Sequence, residues 1–200
     1  MDLWSIENQY RNEGHTAICG VDEAGRGPLA GPVYAAAVIL PFGIVLPGLN
    51  DSKKLSAHTR EKLYETIVKE AVAYGIASAD NNEIDNINIL NATFLAMDRA
   101  IQALSVAPDI VLVDGNRAPV IEYPIKCIVG GDGKSASIAA ASILAKVSRD
   151  AYMTDMAVNY PGYGFENHKG YGTKQHIERL REQGPCGIHR KTFLNVKRKM

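Results

Sequence analysis

Cys19–Gly31 reads CGVDEAGRGPLAG, and the two adjacent acids at its centre, Asp22 and Glu23, pose the question that the rest of the chain answers. A short apolar run (Ala17, Ile18, Val21) leads into them, and Gly25, Arg26, Gly27 and Pro28 follow at once. A strand that ends in acids and then breaks into glycines presents carboxylates beside open backbone. Half-buried carboxylates are costly unless they are paired, hydrogen-bonded or holding a cation. Arg26 is the nearest partner, which would make the segment an ion-paired turn; a metal ion is the other. Adjacent residues in a regular strand face opposite sides. Both acids therefore serve one cation site only if the strand bends at Glu23, a bend that Gly25 permits.

Outward from this stretch, strands and helices alternate. Ala17–Val21 and Val33–Leu40 predict two strands flanking the glycine-rich bend, the second apolar throughout as a buried central strand would be. Ser56 suits an N-cap for a helix to about Ala71, and Val72–Ser78 predicts a third strand. Polar residues over Asp80–Asn86 lead to a helix whose Leu90, Phe94, Met97, Ile101 and Leu104 recur at helical spacing, a core stripe. Ile110–Val113 runs as a strand into Asp114-Gly115. Ile125–Val129 is another strand, followed by GGDGKS, an Ala-rich helix from about Ser137 to Met156 and a last helix near Thr173–Gln183. The pattern is that of an α/β domain with a mixed sheet.

Composition sets the class. Two hundred residues with 46% hydrophobic and 22% charged content make a soluble globular chain of one domain's size. Cys19, Cys127 and Cys186 are odd in number, far apart and outside any zinc spacing, which points to reduced thiols and a cytoplasmic location. The first fourteen residues carry early acids and no apolar core of signal-peptide length, and no apolar run reaches membrane-spanning length, so neither a leader nor a membrane span is expected. The zero net charge hides an asymmetry. Asn167–Met200 carries nine Lys/Arg against two acids, so the body is acidic and the tail basic, an arrangement suited to a body that holds metal and a tail that holds phosphates.

Asp22/Glu23, Asp114 and, after its glycine turn, Asp132 all stand where a strand delivers them, and ligands gather at strand ends in α/β sheets. Four converging carboxylates raise one another's pKa values, and hard divalent cations relieve that repulsion. A carboxylate set without His or Cys suits Mg²⁺ or Mn²⁺, and two such ions can drive phosphodiester hydrolysis. Gly25-Arg26-Gly27 would let bare backbone approach a sugar-phosphate. Lys53, Lys54, Ser142 and Lys146 are phosphate contacts to test, and Tyr163 and Tyr171 are candidates for stacking on a base or sugar. Two decoys fail. Gly25-x-Gly27-x-x-Ala30 opens no helix and carries acids where a pyrophosphate would lie; Gly133-Lys134-Ser135 lacks the phosphate-loop glycine, because position 128 is Ile128. A nucleotide triphosphatase and a non-catalytic binding module are the competing readings.

DEAGRGPLAGP, DSKKLS, LVDGN, DGKSASIAAASILAKVSRD and HKGYGT, in this order and spacing from about residue 17 to about 190, resemble bacterial ribonuclease HII of the type 2 ribonuclease H family. The resemblance implies a ribonuclease H-like mixed five-stranded sheet flanked by helices. It also implies one catalytic domain over 1–200 whose residues from about 160 form a C-terminal, substrate-binding helical region. It implies an endoribonuclease that cleaves the RNA strand of RNA–DNA hybrids. Such an enzyme also nicks DNA duplexes 5′ of embedded ribonucleotides, leaving 3′-hydroxyl and 5′-phosphate ends, in removing misincorporated ribonucleotides and RNA primers. Carried over by position, Asp22, Glu23, Asp114 and Asp132 would be catalytic and hold two Mg²⁺ or Mn²⁺ ions. Gly25, Arg26 and Gly27 would read the ribose 2′-hydroxyl, and Tyr171 would stack on the following sugar. The sister type, ribonuclease HIII, has an added N-terminal domain for which the sixteen or so residues before the first strand leave no room. A monomer is expected, with no membrane partner and with His168 structural or assisting product departure.

Overall fold

The computed structural model describes residues 3–49 and 55–197, so the Lys53 and Lys54 candidates and most of the DSKKLS segment lie outside the described residues. Five strands, β1 (Ile18–Ala24), β2 (Val33–Ile39), β3 (Ala73–Ala79), β4 (Ile110–Asp114) and β5 (Ile125–Ile128), form one mixed sheet in the order β3-β2-β1-β4-β5. β1, β2 and β3 pair antiparallel, whereas β4 and β5 join on the other side in parallel. Among the described residues the accompanying helices are α1 (Ser5–Asn12), α2 (Ala57–Glu70), α3 (Asn81–Gln102), α4 (Ala136–Asn159), α5 (Phe165–His168), α6 (Lys174–Gln183) and α7 (Lys191–Lys197).

Both faces of the sheet are covered, which is why β2 reads as apolar throughout. Val33, Ala35, Ala37 and Ile39 pack with Ala92, Ala96 and Met97 of α3. The alternate residues Ala36 and Val38 pack with Leu63 and Ile67 of α2 and with Ala140, Ile143 and Leu144 of α4. This is the period of two that a pleated strand dictates. The Ala-rich face of α4 lets its backbone lie directly on β1. At Gly20 a Cβ would overlap the backbone of Ser137 and Ile138, and at Gly75 of β3 one would overlap the Ala100 carbonyl of α3.

The sequence expectations hold for the five strands and for α2, α4 and α6, and differ at four places. β1 runs on through both acids to Ala24. α3 begins at Asn81, held by a reciprocal capping box in which Asp80 accepts from the Glu83 N–H and Glu83 accepts from the Asp80 N–H. Within α3 the helix breaks at Asn88 (φ 66°), whose Oδ1 re-caps the next turn through the Leu90 and Asn91 N–H groups. The short helices α1, α5 and α7 were outside the periodicity argument because tertiary partners hold them. Buried Glu7 of α1 accepts from the Ser135 hydroxyl (2.6 Å) and the Ser137 N–H (2.9 Å) at the start of α4. Asp85 of α3 accepts from the Lys191 and Thr192 N–H groups at the start of α7.

A chain of hydrogen bonds ties the C-terminal helices together. The Cys186 N–H donates to His189 Nδ1 (2.9 Å), so His189 Nε2–H faces His176 Nε2 (3.0 Å), and His176 Nδ1–H donates to the Tyr171 carbonyl (2.9 Å). His168 stacks on His176, its Nε2 bonded to the Tyr163 carbonyl and its Nδ1 accepting from the Gly170 N–H.

Gly20→Ala, by forcing α4 off β1, is expected to cost about 3 kcal/mol or more in denaturant unfolding. Burial, and next the neighbouring His176, hold His189 down at about 4 against an ordinary 6.5. The depressed value means that its contribution is complete above pH 6.5 and is lost as pH falls toward 4. The melting temperature is therefore expected to fall across that window, with a shallower slope in His189→Gln.

Candidate active site

Pairing between β1 and β4 ends at Val21–Val113, although β1 stays paired with β2 as far as Ala24–Tyr34. The two parallel strands thus part where Asp22, Glu23 and Asp114 emerge. Asp22 lies on the α4 face, 4% exposed, with its Oδ1 accepting from the Glu23 N–H (2.7 Å) and its carboxylate hydrogen-bonded to the Ser142 hydroxyl. Glu23 lies on the other face, beside Leu90, Thr93, Phe94 and Met97 of α3 and beside Asp114. The expected bend at Glu23 is absent, because the β2 ladder keeps the strand regular; the chain turns at Gly25 (φ 97°) instead. Glu23 nevertheless reaches both sides, lining the α3-side hollow and a second hollow that it shares with Asp22. The core stripe of α3 has the same double role, since its Leu90, Phe94 and Met97 also wall the α3-side hollow.

The second hollow, about 420 Å³, is lined by Asp22, Glu23, Gly25, Arg26, Gly27, Ser142, Lys146 and Tyr171. Sequence reasoning had named all of these, and the fold brings them to one place from β1, the following turn, α4 and the turn before α6. Asp114 closes β4, and its Oδ1 accepts from the Gly131 N–H (2.6 Å), which fastens the turn holding buried Asp132 against it. Arg26 pairs with Glu23 (3.3 Å), but with the arginine side chain half exposed the pair contributes little. Lys146 pairs with Asp150 (2.8 Å) one turn along α4. Tyr171 is 43% exposed at the hollow, whereas Tyr163 is buried, stacked on Phe165 and bonded to the Gly184 carbonyl, so only Tyr171 is placed to meet a ligand. His168 is likewise buried packing.

The glycines of the turn do different work. A Cβ at Gly25 would overlap Arg149, so the protein's own packing requires that glycine. At Gly27 a Cβ would meet only Tyr171 Cε1, at 3.7 Å across the hollow. The room above Gly27 is therefore open to a ligand.

Burial, then Glu23, then Asp114 push the Asp22 carboxyl well above the usual carboxylate range. A buried acid held up by two neighbouring acids is relieved by a bound cation, and the donors offered are hard carboxylate oxygens. Among the described residues no three carboxylate, imidazole or thiol groups are drawn together closely enough to enclose an ion.

A sequence profile described as Ribonuclease HII matches residues 19–196. The chain belongs to the ribonuclease HII family. The Ribonuclease HII of Caldicellulosiruptor saccharolyticus is 59% identical over 193 residues, covering 96% of this chain and 94% of that protein. Among solved structures, ribonuclease H2 from Pyrococcus horikoshii OT3 superposes with a TM-score of 0.76 at 25% identity, over 92% of this chain and 96% of that one. Bst-RNase HIII in complex with Mn²⁺ shares the fold at a TM-score of 0.67 and 16% identity, over 90% of this chain and 68% of its own. Membership makes the chain a ribonuclease H, an endoribonuclease acting on RNA–DNA hybrids within a family dependent on divalent metal. The nucleotide-triphosphatase and binding-module alternatives fall away.

Because burial disfavours ionised Asp22, its folded value is raised, so the native state loses stability as pH rises above the unfolded value. Asp22→Asn is therefore expected to raise the melting temperature of the metal-free protein at pH 7. The gain should shrink as pH falls toward the ordinary carboxylate range, and added Mg²⁺ or Mn²⁺ should stabilise only the parent.

Proposed function

We propose that this ribonuclease HII, besides cutting hybrids, nicks DNA duplexes on the 5′ side of a single embedded ribonucleotide. The observation that carries the reading is the shared hollow: the acids of β1, the Gly25-Arg26-Gly27 turn and Tyr171 line one space sized for a nucleotide. Asp22, Glu23, Asp114 and Asp132 would hold divalent ions, Mg²⁺ or Mn²⁺, two in the catalytic complex. Those ions would supply an activated water and charge neutralisation at the scissile phosphate.

The chain's own residues do the rest. Ser142 holds the Asp22 carboxylate by a hydrogen bond, and the Glu23 N–H donates to its Oδ1, so Asp22 keeps a single orientation. Gly131 does the same for Asp114. Gly25, Arg26 and Gly27 read the ribose 2′-hydroxyl, the group that separates RNA from DNA. The space between Gly27 and Tyr171 receives the sugar, and Tyr171 stacks on the one that follows. The 2′-hydroxyl is recognised and is not the nucleophile, so the ends are 3′-hydroxyl and 5′-phosphate. Lys146 and the basic C-terminal segment, the helical region from about residue 160, bind phosphates, with Lys53 completing that track by the sequence reading. Such an enzyme would act in the cytoplasm as a monomer, removing misincorporated ribonucleotides and RNA primers.

A duplex carrying one ribonucleotide, beside an all-DNA control, tests this with and without Mg²⁺ or Mn²⁺. A metal-dependent cut immediately 5′ of the ribonucleotide is expected, with the control intact; cutting of hybrid alone would overturn the nicking reading. Asp114→Asn is expected to lower turnover at least about a hundredfold while duplex affinity stays near the parent's.

A further inference from the structure

Two arginines lie wholly inside the protein behind the Gly25–Gly27 turn, and among the described residues neither has a carboxylate in ion-pair contact. Arg190 and Arg149 are 0% and 1% exposed. Each spends all three guanidinium nitrogens on backbone carbonyls. Arg190 Nε donates to Gly31 O (2.9 Å), Nη1 to Arg26 O (2.9 Å) and Nη2 to Gly25 O (2.6 Å). Arg149 Nε donates to Pro32 O (3.0 Å), Nη1 to Lys169 O (3.1 Å) and Nη2 to Ala30 O (3.2 Å). Burying an unpaired guanidinium is expensive, and an apolar side chain would serve packing alone at lower cost. Burial, and for Arg190 also Arg149, lower both guanidinium pKa values, that of Arg190 to about 9.

The direction of these bonds has a stereochemical consequence. In a trans peptide the carbonyl and the following N–H point opposite ways, and no cis peptide is present among the described residues. With the Gly25 and Arg26 carbonyls drawn onto Arg190, the N–H groups of Arg26 and Gly27 turn away from it. Both residues line the hollow. Arg149 adds a second tie. It fills the space that a Gly25 side chain would need, it holds the Lys169 carbonyl two residues before Tyr171, and its guanidinium carbon lies 5.8 Å from the Tyr171 ring centroid. Further backbone bonds, Leu29 N to Gly170 O, Gly31 N to Ile188 O and Arg190 N to Leu29 O, seat the turn between the segments that carry Tyr171 and Arg190.

We propose that Arg149 and Arg190 are the positioning residues of ribose selection: their forks fix the peptide orientations of the Gly25–Gly27 turn and its distance from Tyr171, without touching substrate. The inference rests on the reading of that turn as the 2′-hydroxyl reader. Charge alone does not suffice for this role, because lysine offers one point donor where the fork reaches three carbonyls.

The test uses the full chain and two duplexes that differ at one sugar, a ribonucleotide or its 2′-fluoro-2′-deoxy analogue, each cut under single-turnover conditions with Mn²⁺. The ratio of the two kcat/KM values is independent of the fraction folded, so a merely structural role would leave it unmoved. R190K is expected to lower that ratio by about tenfold, in keeping with the loss of an oriented polar contact, with affinity for an all-DNA duplex within about threefold of the parent's. R149K is expected to do the same, as is Gly25→Ala, which displaces Arg149 while keeping both arginines. A parental ratio in any folded one of these three overturns the proposal. A parent protein that shows no preference for the ribonucleotide overturns instead the reading on which it rests.

Discussion

The close seating of α4 on β1 is the constraint on which the site depends. It exists because Gly20 has no side chain, so that the backbone of Ser137 and Ile138 comes directly onto β1. Five residues beyond Ser137, at the point of contact, Ser142 meets the Asp22 carboxylate, and one turn further Lys146 reaches the same hollow. A bulkier helix face would lift α4 by the width of a methyl group or more. Asp22 would then lose its hydroxyl partner, and water would enter behind it. The same helix carries Arg149, so one rigid element sets the depth of the acid and supports the turn that follows it.

The site is built at a cost to stability, and in both signs of charge. Asp22 is buried beside two other acids and is held above its ordinary range. Behind the turn, two guanidiniums are buried on backbone carbonyls, and among the described residues neither has a carboxylate in ion-pair contact. Each arrangement is worse for the isolated fold than a neutral replacement of similar shape. The acids gain their partners when cations arrive with the substrate, whereas the guanidiniums keep their carbonyls and hold the turn in place. A surface that is electrostatically incomplete in the free protein is one that gains most on binding.

The C-terminal segment closes the arrangement from the far end of the chain. The Gly31 N–H donates to the Ile188 carbonyl and the Arg190 N–H to the Leu29 carbonyl, pairing His189 with Ala30, and the histidine chain runs from Cys186 to the Tyr171 carbonyl. The turn after β1 is therefore held by residues some 120 to 165 positions away. Tertiary closure, rather than local propensity, gives it one shape.

Much was determined by the amino-acid sequence alone. The apolar runs ending in Asp22-Glu23 and Asp114 announced strands with acids at their ends, because a run of that length and period has few other uses. The helical stripe of Leu90 to Leu104 and the Ala-rich run after GGDGKS announced helices for the same reason. Five separated motifs then pointed to ribonuclease HII, and Asp22, Glu23, the Gly-Arg-Gly turn, Ser142, Lys146 and Tyr171, which the fold gathers around one hollow, were each singled out along the chain. Other things were decided only by the folded chain. The short helices α1, α5 and α7 were not picked out, since each is held by partners distant in sequence. Local sequence also wrongly suggested a bend at Glu23, because nothing in it states that β2 pairs through Ala24 while β4 has already parted. Arg149 and Arg190 look like any surface arginine in the chain. Their burial depends on carbonyls contributed by segments that meet only when the sheet, α4 and the C-terminal turn close together, and a pattern read along one dimension cannot record a contact made in three.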